Sequence, residues 1–118
     1  MAKNFSQKEV SMLRRIFRTY QKNARKGKLD FTISFKRFSE IITGDCFYCG
    51  IKALNLRKRG ATQVFVNGID RYSSKIGYVA SNCVPCCKTC NLMKSNLSVH
   101  DFLSQVHRIN NFIIYGLE

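Results

Sequence analysis

The chain has 118 residues, room for one ordinary domain of roughly 100 to 200 residues and no second one. Lys and Arg number 20 against 7 Asp and Glu, a formal charge of +13 that points to a polyanionic partner, while 45% hydrophobic residues exclude disorder throughout. No apolar run reaches the roughly 18 to 20 residues of a bilayer span, and Met1 to Tyr20 is interrupted by Lys8, Arg14, Arg15 and Arg18, so neither a membrane segment nor a secretory signal is expected.

From the N-terminus, Val10, Leu13, Ile16, Phe17 and Tyr20 draw one apolar stripe, which predicts a helix over Phe5 to Asn23. Ser6 with Glu9 forms a capping box at its start, and Gly27 marks its end. Residues 1–30 hold nine basic and two acidic side chains, so Arg14, Arg15, Arg18, Lys22, Arg25 and Lys26 are expected to face phosphates rather than bulk water alone. Asp30 to Ser34 alternates like a short strand, and Phe35, Phe38, Ile41 and Ile42 behind Ser34 predict a short capped helix.

Cys46-Phe-Tyr-Cys49-Gly50 forms a tight knuckle, and Lys52 to Gly60 is polar and without period, which predicts a basic loop presenting Arg57, Lys58 and Arg59. Gln63 to Tyr72 predicts a strand, Ser73 to Gly77 a turn, and Tyr78 to Cys86 the return strand, with Pro85 at its edge or end. A short helix is expected from near Cys87, carrying Asn91 and Lys94. Ser98 with Asp101 opens a last helix whose Phe102, Leu103, Val106, Ile109, Ile113 and Ile114 are expected to point inward.

All six cysteines fall between Cys46 and Cys90 in close pairs, which in a chain without an export signal reads as metal rather than disulfides. Two Cys-x-x-Cys knuckles supply the four soft ligands of a zinc tetrahedron. Cys46 and Cys49 make the first. The second could be Cys83 with Cys86 or Cys87 with Cys90; a knuckle running into a helix favours Cys87 and Cys90, leaving Cys83 and Cys86 as small core residues. Thioredoxin-type redox chemistry would need a βαβ context that is missing. The 37 residues between Cys49 and Cys87 exceed a zinc ribbon's spacing, so a further substructure lies between the knuckles.

That insertion carries Asn67-Gly68-Ile69-Asp70-Arg71, Gly77-Tyr78 and Asn82, followed by Cys87-x-x-Cys90-Asn91-x-x-Lys94. Together with the first knuckle, it resembles the HNH, or ββα-metal, endonuclease family, in particular its zinc-stapled phage and restriction-enzyme branch. The likeness covers about Cys46 to Asn96 and extends weakly upstream through Tyr20, Ala24, Arg25, Gly27 and Phe31. It implies a metal-dependent DNA endonuclease with one Mg²⁺ held by Asp70 and Asn91, Asn82 steadying the hairpin, and Lys94 at a phosphate.

The departure is Arg71, which stands where the family has its general base. Arginine stays protonated and can clamp a phosphate but cannot take a proton from water. The base is then sought at Tyr78 first, with Tyr72, Tyr48, His100, His107 or a metal-held hydroxide behind it. Singly, Asp70, Asn82, Asn91 and Tyr78 also have ordinary structural readings as turn, cap or core residues.

The expectation is therefore one small α+β domain over 1–118. Within it, a basic helical DNA-contacting region spans 1–44, a zinc-stapled ββα-metal core 45–96, and a C-terminal helix 97–118. Its partner is DNA, with no membrane and no small-molecule substrate; a homodimer follows if both strands are cut. The resemblance and the reduced cysteines imply an intracellular setting and a phage or viral source. The competing reading is a non-catalytic zinc module that binds nucleic acid with a decayed nuclease site, and an RNA substrate is a third reading.

Overall fold

The computed structural model describes residues 4–116. Helix α1 runs Gln7–Lys26 and starts at the capping box, Ser6 Oγ accepting from Glu9 N and Glu9 returning a bond to Ser6 N. It ends at Gly27, after which Lys28 takes a left-handed φ of 56°. Ser34 caps α2, Phe35–Ile42, in the same way through Arg37 N. The apolar stripe of α1 meets α2 in a set of edge-on aromatic contacts: the Phe17 ring lies 5.4 Å from Phe31, 5.4 Å from Phe35 and 5.1 Å from Phe38. Leu13, Phe38, Ile41, Ile42 and Val66 are buried almost completely at the centre of this core.

The segment Lys52 to Gly60 is not a loop throughout. Asn55–Arg59 forms strand β1, paired antiparallel with β2, Thr62–Val66. Its signal is hidden because every residue of β1 is exposed, so no alternation appears in its sequence. The single strand expected over Gln63 to Tyr72 is divided at Asn67 into β2 and β3, Gly68–Arg71, which belong to different sheets. The reason is local: Asn67 gives its backbone N–H to Ile42 O at 2.6 Å and its amide to Gly44 O at 2.9 Å. A residue whose donors are spent on the end of α2 cannot continue a ladder.

The return strand is likewise shorter than expected. A 3₁₀ turn occupies Ala80–Asn82, and β4 is only Cys83–Cys86, antiparallel to β3. Asp30 to Ser34 forms no strand beyond one parallel bridge between Phe31 and Tyr78. Gly77 makes that approach possible, since a Cβ there would lie 2.5 Å from Asp30 O and 2.7 Å from Asp30 N.

Cys87 caps α3, Lys88–Lys94, and Ser98 caps α4, Val99–Tyr115. The architecture is α+β, with β3, β4 and α3 forming a ββα unit between the helices. Helix α4 departs from expectation. Only Val99 and Phe102 are buried, while Leu103, Val106, Ile109, Ile113 and Ile114 are exposed. Its first turn packs against Tyr48, whose ring lies 5.3 Å from that of Phe102; the later turns carry their apolar stripe past the core. No helix among the described residues is long and apolar enough to cross a membrane.

Candidate functional site

The two knuckles meet. The sulfurs of Cys46, Cys49, Cys87 and Cys90 all lie within 4.8 Å of one another, with Cys49 and Cys87 3.8 Å apart. The first knuckle closes because Gly50, at a left-handed φ of 76°, returns its N–H to Cys46 O. The second is an α-helical start in which Cys87 Sγ accepts from Cys90 N. Burial opposes ionisation of the Cys46 thiol, but backbone N–H groups of Cys49, Cys87 and Tyr48 outweigh it and bring the thiol down to about 6. Burial and then the Cys87 and Cys49 sulfurs push Cys90 up. Four neighbouring thiols cannot all ionise without a cation between them. These four cysteines are positioned to hold one metal ion, and an all-sulfur tetrahedral set suits zinc.

Cys83 and Cys86 stand outside it. Burial pushes their thiols up, to about 11 and about 12, so they stay protonated in the core. All six cysteines are free of disulfides.

A second, polar cleft of about 210 Å³ lies on the ββα unit, lined among others by Asp70, Arg71, Tyr78, Asn91 and Lys94. Strand β3 supplies the first two. Asp70 is buried, and its carboxylate accepts Tyr48 OH at 2.6 Å and lies 3.3 Å from Lys94 Nζ. Lys94, expected at a DNA phosphate, is only 1% exposed; it is the internal counterion of Asp70. Helical period offered the clue, because Lys94 lies four residues after the buried Cys90 and so on the same inward row. Breaking so buried a pair by removing one partner costs about 3 to 5 kcal/mol.

Tyr48 carries a weight that sequence reasoning gave it only as one base among several. Burial and the Asp70 carboxylate hold its phenol well above the usual tyrosine range, so it remains a donor to Asp70 and a poor proton acceptor. Tyr72 is exposed beside Phe47, and His100 and His107 are exposed on α4. Of the tyrosines and histidines considered as a base, Tyr78 alone lines the cleft. Its ring packs on Phe31 at 5.4 Å and Tyr20 at 5.9 Å.

Asn82, also buried, accepts from Ser73 N and donates to Ser73 O, Ile76 O and Gly77 O at 3.0 to 3.1 Å, which closes the 73–77 turn. Arg71 reinforces the same turn through Nη1, bonded to Ser74 O at 2.7 Å and Ile76 O at 3.0 Å. Its Nε and Nη2 remain as donors for another group.

The basic residues divide into two settings. Arg15 and Arg18 of α1 line, with Arg57, Lys58 and Arg59 of β1, a groove of about 550 Å³ that also borders Tyr20. Arg14 instead lies over the Phe35 ring at 4.1 Å. Lys22, Arg25 and Lys26 are exposed along the end of α1. The Tyr20 to Tyr78 contact links the groove to the cleft.

Comparison with known proteins gives this geometry a context. The fold matches that of the rare-cutting HNH restriction endonuclease PacI, with a TM-score of 0.64 and coverage of 98% of this chain and 94% of that one, at 22% identity. The fold is HNH-like. A curated relative, an uncharacterized protein of Acanthamoeba polyphaga mimivirus, is 34% identical over 87 residues, or 74% of this chain. The chain spans only 15% of that relative's length. No family model matches. Strands β3 and β4 with helix α3 form a ββα unit in this chain, and the cleft described above lies on it.

Proposed function

We propose that this protein is a metal-dependent DNA endonuclease that hydrolyses phosphodiester bonds. The observation that carries the reading is the polar cleft lined by Asp70, Arg71, Tyr78 and Asn91, on an HNH-like fold. The Asp70 carboxylate and the Asn91 amide oxygen are hard donors of the class that Mg²⁺ takes, alongside water and phosphate. A carboxylate has about four lone-pair sites, so the bonds to Tyr48 and Lys94 leave room for an ion. When bound, the divalent ion supplies Lewis-acid stabilisation of charge on the phosphate oxygens. Arg71, already braced by the turn carbonyls, presents its free donors to the phosphate. Asn82 holds the turn that fixes Arg71, and the phenolate of Tyr78, formed by loss of its proton to solvent, accepts a proton from the attacking water. Zinc at the four cysteines is structural.

The division of labour assigns 1–44 and the β1 strand to DNA contact, 45–96 to zinc binding and catalysis, and 97–118 to the C-terminal region that carries α4, residues 1–3 and 117–118 lying outside the described residues. Arg14, Arg15, Arg18, Lys22, Arg25, Lys26, Arg57, Lys58 and Arg59 supply the basic surface. One site per chain cuts one strand at a time, so double-strand cleavage calls for a second copy, which the exposed apolar stripe of α4 is suited to recruit. Sedimentation of the full chain distinguishes the dimer from a monomer. A viral source and a reducing compartment agree with the mimivirus relative and the free cysteines.

One observation favours a non-catalytic nucleic-acid-binding module instead: a cation, the Lys94 ammonium, already sits against Asp70. Nicking of supercoiled plasmid with and without Mg²⁺ separates the two readings, because a binding module leaves the plasmid intact under both conditions. Two outcomes follow from the nuclease reading. Tyr78→Phe lowers the single-turnover rate by about 10²- to 10⁴-fold if its hydroxyl moves the proton; a normal rate removes Tyr78 as the base without touching the assignment. DNA affinity measured against salt gives a log-log slope of about −5 to −9 if six to ten phosphates are engaged, and a flat dependence contradicts the basic-surface argument.

A further inference from the structure

The β1–β2 ribbon is the basic element that the cleft does not use. Every residue of β1 is exposed, whereas β2 buries Val64 and Val66 and leaves Gln63 and Phe65 in solvent. Residues directly opposite one another in an antiparallel pair share a face, so the register sorts the side chains. Arg57 lies opposite Val64 and Arg59 opposite Thr62, on the side packed toward α1. Leu56 opposite Phe65 and Lys58 opposite Gln63 form the other, outward side. The register thereby divides three consecutive basic residues between two faces, although Lys58 also borders the groove along α1 beside Arg57 and Arg59.

The outward face has an unusual make-up for a solvated one. Leu56 is 42% exposed and Phe65 50%, so an apolar pair stands beside a cation and an amide. Residues 52–66 include four basic side chains and no acidic one, which complements a polyanion. Among the described residues the ribbon is two strands wide and pairs with no further strand. A two-stranded ribbon is one of the elements that the major groove of B-DNA admits. The outward side chains also match base-edge chemistry: a Gln amide pairs with adenine, a Lys with the guanine acceptors, and apolar carbon with the thymine methyl.

Building on the endonuclease reading, we propose that the β1–β2 ribbon is the sequence-reading element of this protein. It enters the major groove of duplex DNA with Lys58 and Gln63 at base edges and Leu56 and Phe65 against thymine methyls. Arg57 and Arg59 on its inward face, with Arg15 and Arg18 of α1, hold the flanking phosphates.

The test is a selection of duplexes with a randomised centre by the zinc-loaded full chain without added divalent ion, followed by sequencing. The wild-type chain enriches a motif. Lys58→Ala and Gln63→Ala each lose preference at a base-pair position and bind the wild-type motif about 5- to 150-fold more weakly. The Arg15→Ala/Arg18→Ala double variant keeps the motif, binds all duplexes more weakly and has a salt slope shallower by about 2. Phe65→Leu retains preference where Phe65→Ala loses it, and unchanged melting curves show that these exposed substitutions leave the fold intact. Retention of the wild-type motif by the Lys58 and Gln63 variants overturns the proposal, as does a wild-type chain that binds and cuts DNA without preference. In both cases the endonuclease reading stands. A chain that binds no duplex at all overturns both.

Discussion

Asp70→Asn is expected to leave supercoiled plasmid uncut in Mg²⁺ while the same protein still retards DNA in a gel. Asparagine is the informative replacement because Asp70 has two tasks. Its carboxylate accepts the Tyr48 hydroxyl and balances the buried Lys94 ammonium. Alanine would remove both partners at once, and the unpaired Lys94 could cost about 3 to 5 kcal/mol, enough to confuse lost folding with lost catalysis. Asparagine keeps the side chain's volume and an acceptor for Tyr48 and Lys94, but it removes the charge that a divalent ion requires and that balances Lys94, so its melting curve is read beside the cleavage assay. The loss should exceed the roughly 10- to 100-fold that outer-shell changes around a metal produce. DNA retention should persist, because Arg15, Arg18, Arg57 and Arg59 line a separate groove. Coupling Asp70→Asn with Lys94→Met removes both charges and restores stability if the pair is balanced as described, without restoring cleavage. Cleavage at a wild-type rate by Asp70→Asn would reject the cleft as the catalytic site.

Stripping zinc is expected to unfold the protein rather than only silence it. The ion would join residues 46–49 to residues 87–90, and structural zinc sites contribute apparent binding free energies of about 10 to 16 kcal/mol. The whole stability of a domain this size is about 5 to 15 kcal/mol, so little can remain without the ion. Apart from the ion, the first knuckle is tied to its neighbours by the small buried cluster of Cys46, Cys86 and Cys90, by the bond from Phe47 N to Pro85 O and by Tyr48 on Asp70 and Phe102. Addition of a strong chelator should replace the cooperative thermal transition with a gradual one, and Cys46→Ala should do the same in the presence of zinc. Cys83→Ser should retain one zinc per chain and melt cooperatively at a lower temperature, since it changes only a buried core position. Metal analysis that shows Cys83 essential and Cys90 dispensable would sink the ligand set.

The sequence by itself determined the features that depend on near neighbours in the chain. The caps at Ser6, Ser34 and Ser98, the stripe of α1, the two knuckles and the order of the ββα unit were all legible, because hydrogen bonds across three residues and helical period are local. The choice of Cys87 with Cys90 followed from the same logic of a knuckle entering a helix.

Only the tertiary structure decided where strands end and which side chains share a pocket. Asn67 broke the expected long strand because its donors found Ile42 and Gly44, residues 25 and 23 positions earlier. Strand β1 was invisible because an element exposed on both faces has no hydrophobic period. The apolar stripe on α4 was legible, but its burial was not: a stripe says that a face is apolar, and the length of the core beneath it decides how much is covered. Lys94 shows the same limit at the site. Its charge suggested solvent and phosphate, yet the fold placed it beside Asp70, where a buried carboxylate makes a buried ammonium tolerable. Long-range pairing of this kind is set by packing across the whole chain, and no local pattern of residues records it.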